Sequence, residues 1–237
     1  MQPSFSQRSD TDPVLVWDLP VRVMHWSLAG AVALAWTTQQ LPGDWFEMHV
    51  ACGYIALVVA CTRIVWGFVG TRHARFTSFV RGPAAILRYS RSLFHAGSEK
   101  YSGHNPLGAL MVVLLLCLVV AQATTGLFAN DQVSNVGPLF GCVGANKSDY
   151  LSGIHRMLST AILLIVLLHV MAAVGYLLFK RTNLIQPMIT GYKPATSVAL
   201  GSGIAASRIW LASLIAGFLS LALAVVVHNA PPASLAL

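Results

Sequence analysis

Five stretches of this chain, residues 21–41, 49–69, 107–128, 153–179 and 204–228, are each long enough to cross the hydrocarbon of a bilayer, and none contains a carboxylate. About 20 apolar residues make one helical crossing, and inside lipid only helices and closed barrels satisfy every backbone polar group. Barrel strands would be shorter and would alternate strictly, which these stretches do not. The expected fold is therefore an all-α integral membrane protein with five spans. Composition agrees, since 56% of the 237 residues are hydrophobic and 10% charged, against about 25% charged in soluble domains. Asp18 followed by Pro20 marks the start of the first helix, a capping residue and then a proline in the turn whose N–H would be unpaired anyway.

The net charge of +7 comes from 15 Lys and Arg against 8 Asp and Glu, and the excess is local. The segment 70–106 holds Arg72, Arg75, Arg81, Arg88, Arg91 and Lys100 against Glu99 alone. This is a topology signal rather than a nucleic-acid footprint, and it places that loop in the cytoplasm. Asp44 and Glu47 follow the first span, and Asp131 and Asp149 face Lys147 in the loop after the third, which suits the outer side. Lys180, Arg181 and Lys193 return the fourth span to the cytoplasm. Five crossings then leave the N-terminus inside and the C-terminus outside. The polar N-terminal segment, with Asp10 and Asp12, does not resemble a cleavable leader.

Cys52, Cys61, Cys117 and Cys142 form no C-x-x-C pair, so neither a disulfide framework nor covalent c-type haem attachment is indicated. Trp17, Trp26, Trp45 and Trp66 stand near span ends and read as an interfacial belt.

The chemistry lies in the histidines. Ionisable residues inside a membrane are costly and mark function, and these spans contain His25, His49, His155 and His169, with no acid beside them to make a proton relay. Neutral imidazoles suit metal ligation. His155 and His169 are 14 residues apart, about 21 Å of rise and only about 40° of rotation, so they share one helix face at two depths. Relative to the middle of each span, His155 and His49 fall roughly 15 Å outward, His169 roughly 5 Å and His25 roughly 9 Å inward. Depth pairs His49 with His155 and His25 with His169, and each pair can hold one haem iron from both axial sides. Histidines that merely bridge helices are the alternative.

Arg63 follows His49 by the same 14 residues and returns to that face at the inner depth. A buried guanidinium needs an anion, and a haem propionate is the candidate, with Arg22 and Arg156 placed to do the same at the inner and outer sites. Snorkelling of Arg63 toward the inner interface is the competing reading. Gly53, one turn after His49, and Gly30, Gly126 and Gly153 leave room for a flat ring or a neighbouring helix.

Several motifs occur together: Val16-Trp17-Asp18 with Arg22, His25 and Trp26; His49 with Gly53-Tyr54; Arg63 with Trp66-Gly67-Phe68; Gly70 through His73-Ala74-Arg75-Phe76; and Gly103-His104-Asn105-Pro106-Leu107-Gly108. With them the sequence resembles the bacterial cytochrome b561 family, which includes the cytochrome b subunits of nickel-iron hydrogenases. The resemblance runs from about residue 16 to 191, including His155, His169 and the Asn183-Leu184 to Gly191 segment. It implies a four-helix bundle holding two b-type haems on His25, His49, His155 and His169, and electron exchange with a quinone, ubiquinone or menaquinone. The fifth span lies outside that core.

The organisation expected is a cytoplasmic segment 1–20, a haem-binding four-helix membrane domain 21–191, and 192–237 as linker, fifth helix and short periplasmic tail, all in a bacterial inner membrane. Quinone carbonyls would meet His73, Arg75, His104 or Asn105, for which loop capping is the alternative role. Three functions remain open: an electron-transfer cytochrome joining the quinone pool to a periplasmic partner, a c-type cytochrome or an iron-sulfur or hydrogenase-type subunit; a stand-alone superoxide:quinone oxidoreductase; or a transporter or structural subunit without haem.

Overall fold

A computed structural model describes residues 13–93 and 101–233; Asp10, Asp12, Glu99 and Lys100, used above in the charge reading, lie outside the described residues. A short strand, β1 (Pro13–Leu15), leads into α1 (Leu19–Thr38) and α2 (Phe46–Val69). The basic loop then folds into two small helices, α3 (Phe76–Phe79) and α4 (Pro83–Ser92), before α5 (Pro106–Leu127). After a long turn region come α6 (Ala145–Phe179), α7 (Ile185–Thr190), β2 (Tyr192–Pro194) and α8 (Ile209–His228). Helices α2, α5, α6 and α8 are long and apolar enough to cross a membrane. Helix α1, with 20 residues, also reaches about 30 Å but is made more polar by Arg22, His25 and its two terminal threonines.

Asp18 caps α1 as its sequence suggests, its Oδ1 accepting from the Val21 N–H at 2.7 Å. Asn105 does the same for α5, accepting from Gly108 N–H at 2.7 Å just before Pro106. Helix α1 lies along α2, α5 along α6, and α2 joins the two pairs by packing on α5. Alanines Ala31, Ala56 and Ala60 are buried in the middle of this bundle with Leu116, Val119 and Ile162, small residues letting the helix backbones approach closely. Helix α8 packs against α2 and touches α1.

The end of the bundle that carries the basic loop is closed by a cap made from distant parts of the chain. Strands β1 and β2 pair antiparallel, Val14 opposite Lys193, and Gly191 O accepts from both Val16 N–H and Trp17 N–H. Gly191 has a φ of +91°, and a Cβ there would stand 2.8 Å from Trp17 O. The segment before α8 joins the same cap through Ile204 N–H to Leu15 O and Leu19 N–H to Ser207 Oγ. Beneath it lies a core of Val16, Trp17, Val21, Met24, Trp66, Ala74 and Ala212. Trp17 and Trp66 are therefore interior, Trp66 wholly so, which corrects their reading as interfacial; Trp26 and Trp45 are exposed.

At the far end, α6 starts eight residues ahead of its apolar run. Those two turns are fixed to the preceding loop by buried serines, Ser148 Oγ donating to Phe128 O and Ser152 Oγ accepting from Asn130 N–H. Helix α8 starts later than its apolar run because Arg208, its N-cap, takes a left-handed conformation at φ +47°.

Candidate functional site

Helices α1 and α6 bring the rings of His25 and His169 to 6.3 Å between centroids, and α2 and α6 bring those of His49 and His155 to 6.1 Å. One helix, α6, supplies a member of each pair. Two imidazoles bound on opposite sides of one metal, with nitrogens about 2 Å from it, have centroids about 6 Å apart once the ring radius is added. The spacing thus fits a bis-imidazole iron.

The pair at the far end has its outward ring nitrogens committed. His49 Nδ1 lies 2.9 Å from Ala35 O and His155 Nδ1 lies 2.9 Å from Gln122 O. A carbonyl only accepts, so each Nδ1 carries the proton and each Nε2 presents its lone pair, the tautomer a metal ligand needs. The amide Nε2 of Gln122 stands 3.1 Å from His155 Nε2, and its Oε1 is buried without a partner. Gln122 would have to turn aside for His155 to take a metal through Nε2. Gly126 lies flat against the same ring, its notional Cβ 2.8 Å from His155 Cε1, whereas a Cβ at Gly53, Gly30 or Gly153 would meet no atom within 4 Å. At the basic end, His25 Nδ1 is buried and unpartnered, and the exposed Trp26 meets its ring edge-on at 5.0 Å.

Arg63 is 6% exposed, so the structure favours burial over snorkelling. Its guanidinium sits 5.6 Å from the centre of the Phe76 ring, and one terminal nitrogen has no hydrogen-bond partner, as a group awaiting an anion would. Arg22 donates through one terminal nitrogen to Ile189 O at 2.6 Å, while its Nε is buried and unpartnered. Arg156 is exposed.

The residues of the basic loop divide. Arg75 Nε donates to Gly70 O at 2.9 Å, and Asn105 both caps α5 and donates to the Tyr176 hydroxyl. Both serve local structure. His73 is buried, with Nε2 2.6 Å from Ser202 O, and burial pushes its pKa down. His104 packs between Trp17 and Phe79, centroids 4.6 and 4.7 Å away, with Nδ1 buried and unpartnered. Burial, and after it the Arg63 charge, drives its pKa down to about 3, so the ring is neutral.

Sequence reasoning passed over Thr38 and Thr125, whose hydroxyls stand 3.4 Å from His49 Nδ1 and His155 Nδ1. Each threonine follows the accepting carbonyl by three residues, a spacing with no meaning until the helices are packed.

A membrane bundle with two facing histidine pairs on a shared helix, and a buried arginine with a free terminal nitrogen, has the makings of a membrane cytochrome of the b type. The chain belongs to the prokaryotic cytochrome b561 family, which matches residues 16–191. It is 29% identical over 214 residues to a probable Ni/Fe-hydrogenase B-type cytochrome subunit of Rhodobacter capsulatus, covering 76% of this chain and 81% of that one. Proteins of the same description from Bradyrhizobium diazoefficiens and Azotobacter vinelandii are 28% and 26% identical, with 75% and 76% of this chain and 85% and 88% of theirs aligned. No solved structure matches the chain.

Proposed function

We propose that this protein is a diheme b-type cytochrome that carries electrons across the membrane between the quinone pool and a periplasmic redox protein. The observation that carries this reading is the facing of four intramembrane histidines in two pairs, at 6.3 and 6.1 Å. Haem b, which His25 with His169 and His49 with His155 would hold, would supply a one-electron couple suited to electron transfer rather than oxygen activation.

The chain's own residues do the rest. His49 and His155 are locked by backbone carbonyls into the tautomer that presents Nε2. Arg63 offers a buried cation, and Arg22 a partly exposed one, for a propionate at the His25/His169 site; Arg156 offers an exposed one at the other. The open space at Gly53 admits a flat ring beside His49. The unit that does this is 21–191, with α8 as an added packing helix.

The positive-inside bias of the basic loop puts that end of the bundle in the cytoplasm, with the N-terminus there and the C-terminus in the periplasm. Quinone, as ubiquinone or menaquinone, meets the chain at the cytoplasmic end. Of His73, Arg75, His104 and Asn105, His104 is the one with a neutral ring and an uncommitted nitrogen. The names of the relatives support a hydrogenase-type partner over a c-type cytochrome.

The test is a reduced-minus-oxidised spectrum with a pyridine haemochrome count on the purified full chain, repeated for His155→Ala. The expected result is two haems in the wild type and about one in the variant. Well-folded wild-type protein without haem would overturn the reading and return the histidines to helix packing or transport.

A further inference from the structure

The two histidine pairs do not have the same surroundings, and the clearest difference is in what holds their ring nitrogens. At the His49/His155 pair both Nδ1–H groups donate to helix carbonyls, Ala35 O and Gln122 O, each at 2.9 Å. The arrangement is repeated almost atom for atom. Thr38 follows Ala35 by three residues and donates its hydroxyl to Ala35 O at 2.8 Å, and Thr125 follows Gln122 by three, its hydroxyl shared between Ala121 O at 2.8 Å and Gln122 O at 2.9 Å. Each threonine oxygen then stands 3.4 Å from the same Nδ1. An imidazole whose N–H is held by an acceptor is a more basic, more electron-donating ligand, and such a ligand favours the higher oxidation state of the metal it binds.

The His25/His169 pair lacks this support. His25 Nδ1 is buried with no partner, and the His169 ring makes no hydrogen bond among the described residues. A buried cation, Arg63, with the Asp18 carboxylate near it, and a half-buried one, Lys193, lie at this end instead. Arg63 is 6% exposed, and Lys193 is held between Tyr101 O and Ser102 O, with burial lowering its pKa. A positive charge out of reach of water favours the state with one more electron. The exposed arginines of the loop add little, being screened within about 10 Å.

At the opposite end the charges are of both signs and mostly wet. Arg156 is exposed. Asp131 is held as an anion by the backbone N–H groups of Asn135, Val133 and Ser134, which bring its carboxyl down to about 2.

We propose that the His49/His155 pair holds its haem at a lower midpoint potential than the His25/His169 pair. This rests on the reading that both pairs bind haem. The order makes the downhill direction run from a one-electron donor at the Asp131 end to an acceptor at the basic end. With a quinone as acceptor, two such transfers and two protons give one quinol, and two donor molecules are each oxidised by one electron.

The experiment is an optical redox titration of the full chain in lipid nanodiscs, with His155→Ala and Arg63→Gln beside it. The wild type is expected to titrate in two resolved steps. His155→Ala should lose the more negative step and keep the more positive one, and Arg63→Gln should move the more positive step downward, with Arg63→Lys restoring it. Loss of the more positive step in His155→Ala, or a single unresolved step in the wild type, would overturn the order while leaving haem binding intact. Should His155→Ala not fold, the arginine pair decides: a shift confined to the more negative step also overturns the proposal. Wild-type protein without haem is a different failure, since it removes the reading beneath the proposal.

Discussion

Trp66 and Asp18, 48 residues apart, meet inside the basic end of the bundle, where the indole Nε1–H donates to Asp18 Oδ2 at 3.0 Å. The same oxygen accepts from the Thr71 hydroxyl, and the other oxygen caps α1. One carboxylate, 1% exposed, thus ties together the start of α1, the end of α2 and the first turn of the basic loop. Its charge also stands near Arg63.

Replacing Asp18 with Ala removes a helix cap, worth 0.5–2 kcal/mol, and leaves the Trp66 and Thr71 donors buried without an acceptor, at 1–3 kcal/mol each. The expected loss is at least about 3 kcal/mol, read as a lower unfolding midpoint in a denaturing-detergent titration. A midpoint equal to the wild type would mean that water reaches this corner and satisfies both donors.

Gly126→Ala places a methyl 2.8 Å from His155 Cε1 and forces the ring off the carbonyl that orients it. Overpacking of this kind costs 1–3 kcal/mol. Haem content should fall to roughly half while the His25/His169 site keeps its spectrum; equal loss at both sites would argue for general unfolding instead.

Gly67→Ala and Gly217→Ala should separate cleanly. A Cβ on Gly67 would lie 2.1 Å from the Phe76 ring, and on Gly217 it would meet nothing within 4 Å. The first should destabilise by about 1–3 kcal/mol and the second should be neutral or stabilising by up to about 1 kcal/mol, both measured against wild type in the same detergent titration.

Acid should loosen the basic end before the pH reaches the carboxylate range. His104 titrates at about 3 in the folded chain against about 6.5 unfolded, so below pH 6.5 the unfolded state binds a proton that the folded state refuses. Stability therefore falls as pH drops from 6.5 toward 3, by up to about 2 kcal/mol at pH 5. His104→Gln should flatten that slope between pH 7 and 5; an unchanged slope would assign it to other groups.

The spans and the facing of the four histidines were legible because both follow from helix period and length, quantities that survive without knowledge of packing. Asp18 was legible as a cap but not as the acceptor for Trp66 and Thr71, since that meeting depends on how α1 and α2 cross. The basic-end cap was not legible at all. Val16, Trp17 and Gly191 meet through backbone groups in irregular segments with no periodicity to betray them. Asn105 illustrates a signal that was present and underused, for an asparagine before a proline at a helix start is a capping pattern, and its side chain caps α5. The two extra turns of α6 escaped notice because Asn146, Lys147, Ser148 and Asp149 look like loop, and only their docking through Ser148 and Ser152 makes them helix.

Those turns have a mechanical meaning. Helix α6 is one uninterrupted rod of 35 residues, about 52 Å long, with His155 and His169 fixed to it like two marks on a ruler. Its first two turns project past the apolar run and are bolted to a loop that also meets the C-terminal segment, where Gly141 lies against Pro231. A tilt applied at that projecting tip would swing both ligands together, so a movement of the helix as a whole re-aims both pairs at once.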